Sequence, residues 1–312
     1  MNTPIVQAKN LSKKYGHTTA VKDLTFAIRR GEIFGFLGPN GAGKTTTISM
    51  LACLQEPSRG TATIDGYDVV KQARQAKWRI GLVPQELALY PTLSARDNLN
   101  YFGSIYGLRG RTLRQRVDNA LDMVGLSDRA KQAVKTYSGG MKRRLNIAIG
   151  LLHNPEVLFL DEPTVGVDPQ SRNAIFEHVE RLNQAGMTIL YTTHYMEEAQ
   201  RLCHRVAIID EGTFVALDTP QKLIADLGGI IHVGIGNGAG NSMARKITTL
   251  PHVDAATRLN GKIEVKTRQP RQALLHILDL CNKTDTNITS LEVLESNLET
   301  VFLHLTGKHL RD

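Results

Sequence analysis

Cysteine is scarce in this chain of 312 residues: Cys53, Cys203 and Cys281 are odd in number, far apart, and form no CxxC or zinc spacing. That excludes a disulfide framework and favours a reducing compartment. Nowhere does an apolar run approach the roughly 18 residues that cross a bilayer. The opening Met-Asn-Thr-Pro-Ile-Val-Gln-Ala-Lys-Asn lacks the apolar stretch of a secretory signal, so a cytoplasmic setting is expected. Internal repeats and low-complexity tracts are missing too. What remains is ordinary globular composition, 41% hydrophobic and 22% charged. The length suffices for one large core and a smaller second domain.

The net charge of +8 is unevenly placed. Between Arg96 and Arg144 stand eleven Lys or Arg against four Asp, which accounts for +7 of it. Such a concentration reads either as solvated helix faces or as a surface near anionic headgroups or an acidic partner. Nucleic acid is disfavoured, because no recognition motif or aromatic interleaving accompanies the charge.

Short apolar runs alternate with amphipathic stretches, an α/β pattern. Strands are expected at Ile5–Ala8, Leu24–Ile28, Ile33–Leu37, Thr61–Ile64, Ile80–Val83, Val157–Leu160, Thr188–Thr192 and Val206–Ile209. Helices are expected at Lys44–Leu54, Ala95–Tyr106, Arg111–Val124, Gly139–His153, Pro169–Gln184 and Glu197–Cys203. Ser94 and Asp97 make a capping-box signature. The stretch 88–150 shows helices without a convincing strand, as a helical insertion would. A boundary is placed at 228/229, where Gly228-Gly229 punctuates the chain, and 229–312 reads as a small α+β accessory domain.

Gly38-Pro39-Asn40-Gly41-Ala42-Gly43-Lys44-Thr45 fits GxxxxGK[ST], after a strand and before a helix. Glycines there let backbone N–H groups approach phosphate oxygens, and the helix N-terminus adds partial positive charge. Lys44 is expected on the β- and γ-phosphates of ATP, the Thr45 hydroxyl on Mg²⁺, and Thr46 beside them. Val157-Leu-Phe-Leu-Asp161-Glu162 is an apolar strand ending in two carboxylates. Asp161 would reach Mg²⁺ through water, and Glu162 would polarise the attacking water. Tyr-Ser138-Gly139-Gly140-Met lies 94 residues beyond Lys44, between the loop and the acidic strand.

In this order the motifs resemble the nucleotide-binding subunits of ABC transporters, over about 1–225. The resemblance implies a P-loop ABC-type ATPase core with a helical subdomain. It also implies that Tyr15 stacks on adenine, the alternative being a strand-end packing residue. Gln85 in Leu-Val-Pro-Gln looks like the Q-loop glutamine at Mg²⁺ or its water, and His194 like the switch histidine at the γ-phosphate. Ser138, Gly139 and Gly140 look like the signature that acts in trans on a nucleotide held by a second copy, with Asp168 in the D-loop position. Glu-Pro-Thr-Val-Gly-Val-Asp-Pro-Gln-Ser-Arg, Thr-His-Tyr-Met-Glu-Glu-Ala and the final segment are similar to daunorubicin-resistance-like exporters of the type-2 class. Methionine stands where the signature's glutamine is usual, and valines occupy the D-loop.

The resemblance implies an ATPase subunit that dimerises and drives separate polytopic permease subunits, peripheral at the inner face of the membrane, exporting a drug, lipid or glycan. The alternatives are a soluble ABC ATPase outside transport and an ATP-binding assembly module without turnover. The lack of a long coiled-coil insertion disfavours the first, and intact Lys44, Glu162 and His194 the second. Asn282-Lys283-Thr284-Asp285 matches the NKxD guanine motif, but far from the phosphate loop it reads as a helix end and turn.

Overall fold

The structure, a computed structural model, describes residues 3–236, 240–259, 261–294 and 297–307. The chain divides between Leu217 and Asp218 into two compact units. That division falls ahead of the 228/229 boundary expected from the glycine pair. The reason is the helix Pro220–Leu227, which packs on the helix Leu298–Thr306 within the second unit.

In the first unit the strands are β1 Val6–Tyr15, β2 Thr18–Ile28, β3 Ile33–Leu37, β4 Arg59–Ile64, β5 Tyr67–Asp68, β6 Ile80–Val83, β7 Val157–Asp161, β8 Thr188–Thr193, β9 Arg205–Asp210 and β10 Thr213–Asp218. Its helices are α1 Lys44–Leu51, α2 Ala73–Arg79, α3 Ala95–Ile105, α4 Gly110–Met123, α5 Gly139–Leu151, α6 Pro169–Gln184 and α7 Met196–Leu202. One antiparallel sheet has the order β2-β1-β4-β5. A six-stranded sheet has the order β10-β9-β3-β8-β7-β6, and its pairs from β9 to β6 are parallel.

Burial explains the strand sequences. β3, β7 and β8 are buried at every position, so they read as continuous apolar runs rather than alternating ones. Phe26 of β2 stacks on Phe34 at 5.8 Å between centroids and meets Phe36 edge-on at 5.2 Å, which joins the two sheets through one core. The stretch 88–150 holds α3, α4, two short 3₁₀ turns and most of α5, with no strand. Ser94 caps α3 by accepting the Asp97 N–H at 3.1 Å, and its hydroxyl donates back to the Asp97 carboxylate at 2.6 Å.

The second unit holds α8 Pro220–Leu227, β11 Gly229–Ile235, α9 Gly240–Thr248, β12 Ala255–Leu259, β13 Lys262–Thr267, α10 Pro270–Lys283, β14 Ile288–Leu294 and α11 Leu298–Thr306. Its antiparallel sheet runs β12-β13-β11-β14. Ile231, Val233, Ile263 and Val265 turn one face onto Met243 and Ile247 of α9 and Ala273 and Ile277 of α10. The NKxD look-alike is the end of α10 followed by Asp285 at φ 49°, a helix end and turn.

Candidate active site

Parallel pairing sets the site, because β3, β8, β7 and β6 end at the same edge of the sheet, where open α/β sheets take their ligands. Gly38 follows β3, Gln85 follows β6 by two residues, Glu162 follows β7 and His194 follows β8. Four segments far apart in sequence therefore converge.

The loop 38–45 is shaped by close approach. A Cβ on Gly38 would lie 2.2 Å from the Ile209 carbonyl oxygen, so only glycine fits. Gly43, at φ 105°, precedes α1 and would place a Cβ 2.7 Å from the Ala20 carbonyl oxygen. Asn40, Gly41 and Thr45 are exposed, while Ala42 and Lys44 are buried. Lys44 Nζ donates to Gly38 O at 2.8 Å and Pro39 O at 3.1 Å, and it lies 3.0 Å from Glu162 Oε1.

Glu162 is the hub. It is 4% exposed, and its φ of 46° lies in the left-handed region that a non-glycine residue rarely occupies. Its Oε2 lies 3.3 Å from His194 Nδ1 and accepts a hydrogen bond from Gln85 Nε2 at 3.5 Å. The His194 approach is within ion-pair reach but off hydrogen-bond geometry, leaving that buried Nδ1 without a hydrogen bond. Thr192 locks the strand end: its Oγ1 accepts the Glu162 N–H at 3.0 Å and donates to Asp161 Oδ1 at 2.7 Å.

The residue types could hold Mg²⁺, with few protein ligands and all of them hard oxygens: the exposed Thr45 hydroxyl, the Asp161 carboxylate and the Gln85 amide oxygen. Among the described residues no cluster of three or more His, Cys, Asp or Glu offers a complete cage. Such a cation would therefore depend on substrate phosphates for the rest of its shell.

Ser138 and Asp168 cap two helices. Ser138 Oγ accepts the Met141 N–H at 3.2 Å at the start of α5, and Asp168 Oδ1 accepts the Ser171 N–H at 2.9 Å at the start of α6. That Ser171 N–H holds the Asp168 carboxyl below its usual pKa. Ser138 and Gly139 are exposed. Gly140 is buried against Ser171, where a Cβ would lie 2.3 Å from the serine Cβ. Tyr15, 44% exposed, stands at the end of β1 with its hydroxyl on Gln55 Oε1 and Lys13 Nζ 5.3 Å from its ring centroid.

The structure adds residues that motif reading passed over. Glu198 of α7 is 2% exposed and accepts three hydroxyls, from Thr164 at 2.7 Å, Thr193 at 2.8 Å and Tyr191 at 3.0 Å. The Thr193 hydroxyl in turn accepts the Tyr195 N–H at 2.9 Å, so both neighbours of His194 are fixed. Burial, reinforced by the nearby Glu198, pushes the Tyr191 phenol well above its usual pKa. The one available signal was a run of hydroxyls, Thr192-Thr193, ahead of His194 and a glutamate four residues after it.

Comparison with known proteins agrees with the geometry. Residues 21–165 match the family model described as ABC transporter. A linearmycin resistance ATP-binding protein of Bacillus subtilis is 46% identical, over 99% of this chain and 100% of its own length. A Nod factor export ATP-binding protein of Ralstonia nicotianae is 40% identical over 100% of this chain and 96% of its own. A daunorubicin resistance ATP-binding protein of Streptomyces coeruleorubidus is 37% identical over 96% and 95%. Among solved structures, an ATP-binding cassette in a dimeric, post-hydrolysis state with ADP and Pi superposes with a TM-score of 0.62. It is 28% identical and covers 69% of this chain and 98% of its own. The cbiO1 subunit of the cbiONQ transporter complex from Clostridium perfringens gives 0.67 at 28% identity, covering 80% and 96%. The chain is therefore a member of the ABC transporter family, an ATP-hydrolysing subunit of the type whose relatives serve export and drug resistance.

Proposed function

We propose that this chain powers export of a drug, lipid or glycan through separate permease subunits, by closing and reopening a head-to-tail dimer on two MgATP. The observation that carries the catalytic reading is the Glu162 carboxylate, set between Lys44 at 3.0 Å, His194 at 3.3 Å and Gln85 at 3.5 Å. These are the groups that phosphoryl transfer to water requires at one point: a cation for the phosphate, a carboxylate for the water and a second polar contact for the transferring group.

In this reading the loop 38–46 cradles the phosphates with its N–H groups, and Lys44 neutralises the transferring group. Bound Mg²⁺, held by Thr45, Asp161 and Gln85, would offset the charge on the β- and γ-oxygens. Glu162 orients the water, His194 contacts the γ-phosphate, and Tyr15 supplies a stacking face for adenine. Ser138 and Gly139, exposed at the start of α5, with the buried Gly140 behind them, complete the site of a second copy, with Asp168 at the same seam. No helix among the described residues is long and apolar enough to cross a membrane, which is consistent with a permease partner at the inner face of the membrane. Relatives named for linearmycin, daunorubicin and Nod factor support the cargo class.

Glu162→Gln should keep ATP binding, lose nearly all turnover and hold an ATP-bound dimer; phosphate release near wild type would remove Glu162 from the mechanism. Shared sites have a separate test. Lys44→Ala and Ser138→Arg proteins, each inactive alone, should regain ATP-dependent dimer formation when mixed, since one interface is then free of both lesions.

A further inference from the structure

Arg143 lies on α5, five positions beyond Ser138, and is 5% exposed. Among the described residues no carboxylate pairs with it. Its Nη1 instead donates to Gln85 O at 2.7 Å and Pro84 O at 3.2 Å, and its Nη2 to Val165 O at 3.4 Å. Asn146, three residues further along the helix, donates to the same Pro84 carbonyl at 3.4 Å. Burial lowers the guanidinium pKa from its usual value.

A buried charge without a counter-ion is expensive unless its donors are used. Here they are used on main-chain oxygens of two loops, and carbonyls after a strand end have no ladder to join. Gln85 lies just past β6, and Val165 three residues past Glu162. The planar fork of arginine reaches both loops at once, which a single ammonium does not. From Arg143 to Ser138 runs one rigid stretch of helix, about 7.5 Å at 1.5 Å per residue.

We propose that Arg143 is a positioning residue that ties the Gln85 loop and the Val165 loop to the helix presenting Ser138, so that the three move as one body. The proposal rests on the reading of Gln85 as serving its own site and Ser138 as serving the partner's. It adds the physical link between them: displacement of the Gln85 main chain displaces Ser138, and one nucleotide site reports to the other. It also gives the basic residue at this position of the signature helix a task other than surface charge.

The test is a double-mutant cycle on the full-length protein. Arg143→Gln should lower kcat by about tenfold or more while KM and the monomer's ATP affinity stay within about threefold. Adding Gln85→Ala should bring little further loss, the double variant lying within about twofold of the worse single one, because the two act through the same loop. Should Arg143→Gln not fold, Arg143→Lys, which keeps the charge but reaches one loop only, carries the same cycle. Multiplicative losses in the double variant would overturn the proposal. So would wild-type turnover in the single variant, or ATP affinity falling in step with thermal stability. Failure of the Lys44→Ala and Ser138→Arg mixture with a non-additive cycle would instead sink the shared-site reading and leave the tether standing.

Discussion

Gly140 separates what the signature segment does for packing from what it does for catalysis. Replacing it with alanine puts a methyl 2.3 Å from both Cβ and Oγ of Ser171 and 3.4 Å from its Cα. Carbon atoms in contact prefer about 3.5–4.0 Å. Rotation about χ1 moves the Ser171 hydroxyl aside but leaves its Cβ where it is, so one helix start must move. Overpacking of this kind costs about 1–3 kcal/mol, offset by roughly 0.5–1 kcal/mol of helix preference for alanine over glycine. A net loss of about 1–2 kcal/mol corresponds to a Tm lower by roughly 3–6 °C in a domain of this size. Ser171→Gly removes the obstacle and leaves the Ser171 N–H bond to Asp168 available to glycine. The double variant should therefore be more stable than the sum of the two single effects by about 1 kcal/mol. Thermal unfolding of all four proteins reads this out. ATP affinity of the monomer should not change, because neither residue belongs to the loop 38–45, whereas turnover should fall with the displaced Ser138. An unchanged Tm in Gly140→Ala, or strict additivity in the double variant, would refute the packing argument.

Two further outcomes are expected. Glu198→Ala should destabilise by about 3–5 kcal/mol in chemical denaturation, since three buried hydroxyls lose their acceptor; Glu198→Gln should fold yet show reduced turnover with ATP binding retained, and full activity in it would free His194 from this scaffold. His178 is kept neutral, its pKa lowered to about 4 by burial and by Arg181 and Arg144. The unfolded chain therefore binds this proton first, near pH 6.5. The stability it supports is complete above that pH and falls by roughly 3 kcal/mol as pH drops toward 4. His178→Gln should flatten that part of the urea-midpoint profile, and an equal slope in the variant would assign the acid sensitivity elsewhere.

The motifs were legible because each is a local spacing with its own chemistry, and β3, β7 and β8 because full burial leaves an unbroken apolar run. α2 was not legible: it is seven residues long with only Ala76 buried, too little for a helical period to show. β1 and β2 run further than their apolar cores because Lys13, Lys14 and Thr18 lie on partly or fully exposed strand positions. Arg143 and Glu198 were passed over for a different reason. Arg143 reaches Gln85, 58 residues away, and Glu198 joins its near neighbours Tyr191 and Thr193 to Thr164, 34 residues away; the local pattern does not say which distant loop a side chain will reach. Arg116, one of the eleven basic residues between Arg96 and Arg144, donates to Asn154 Oδ1 at 3.2 Å and is half-buried, so it contributes less to a charged surface than the exposed Arg111 and Arg114 do.

The shared strand edge works as a ruler. Gly38 and Glu162 are held two strand spacings apart, about 10 Å, because β8 lies between β3 and β7. That distance is set by backbone hydrogen bonding and is indifferent to how much chain intervenes. Lengthening the helical stretch between β6 and β7 should therefore leave the hub in place. Deleting one residue within β7 would slide Asp161 and Glu162 by about 3.3 Å and reverse which face each addresses. Tolerance to insertion and intolerance to deletion would thus sit within a few residues of each other, divided by the end of a strand.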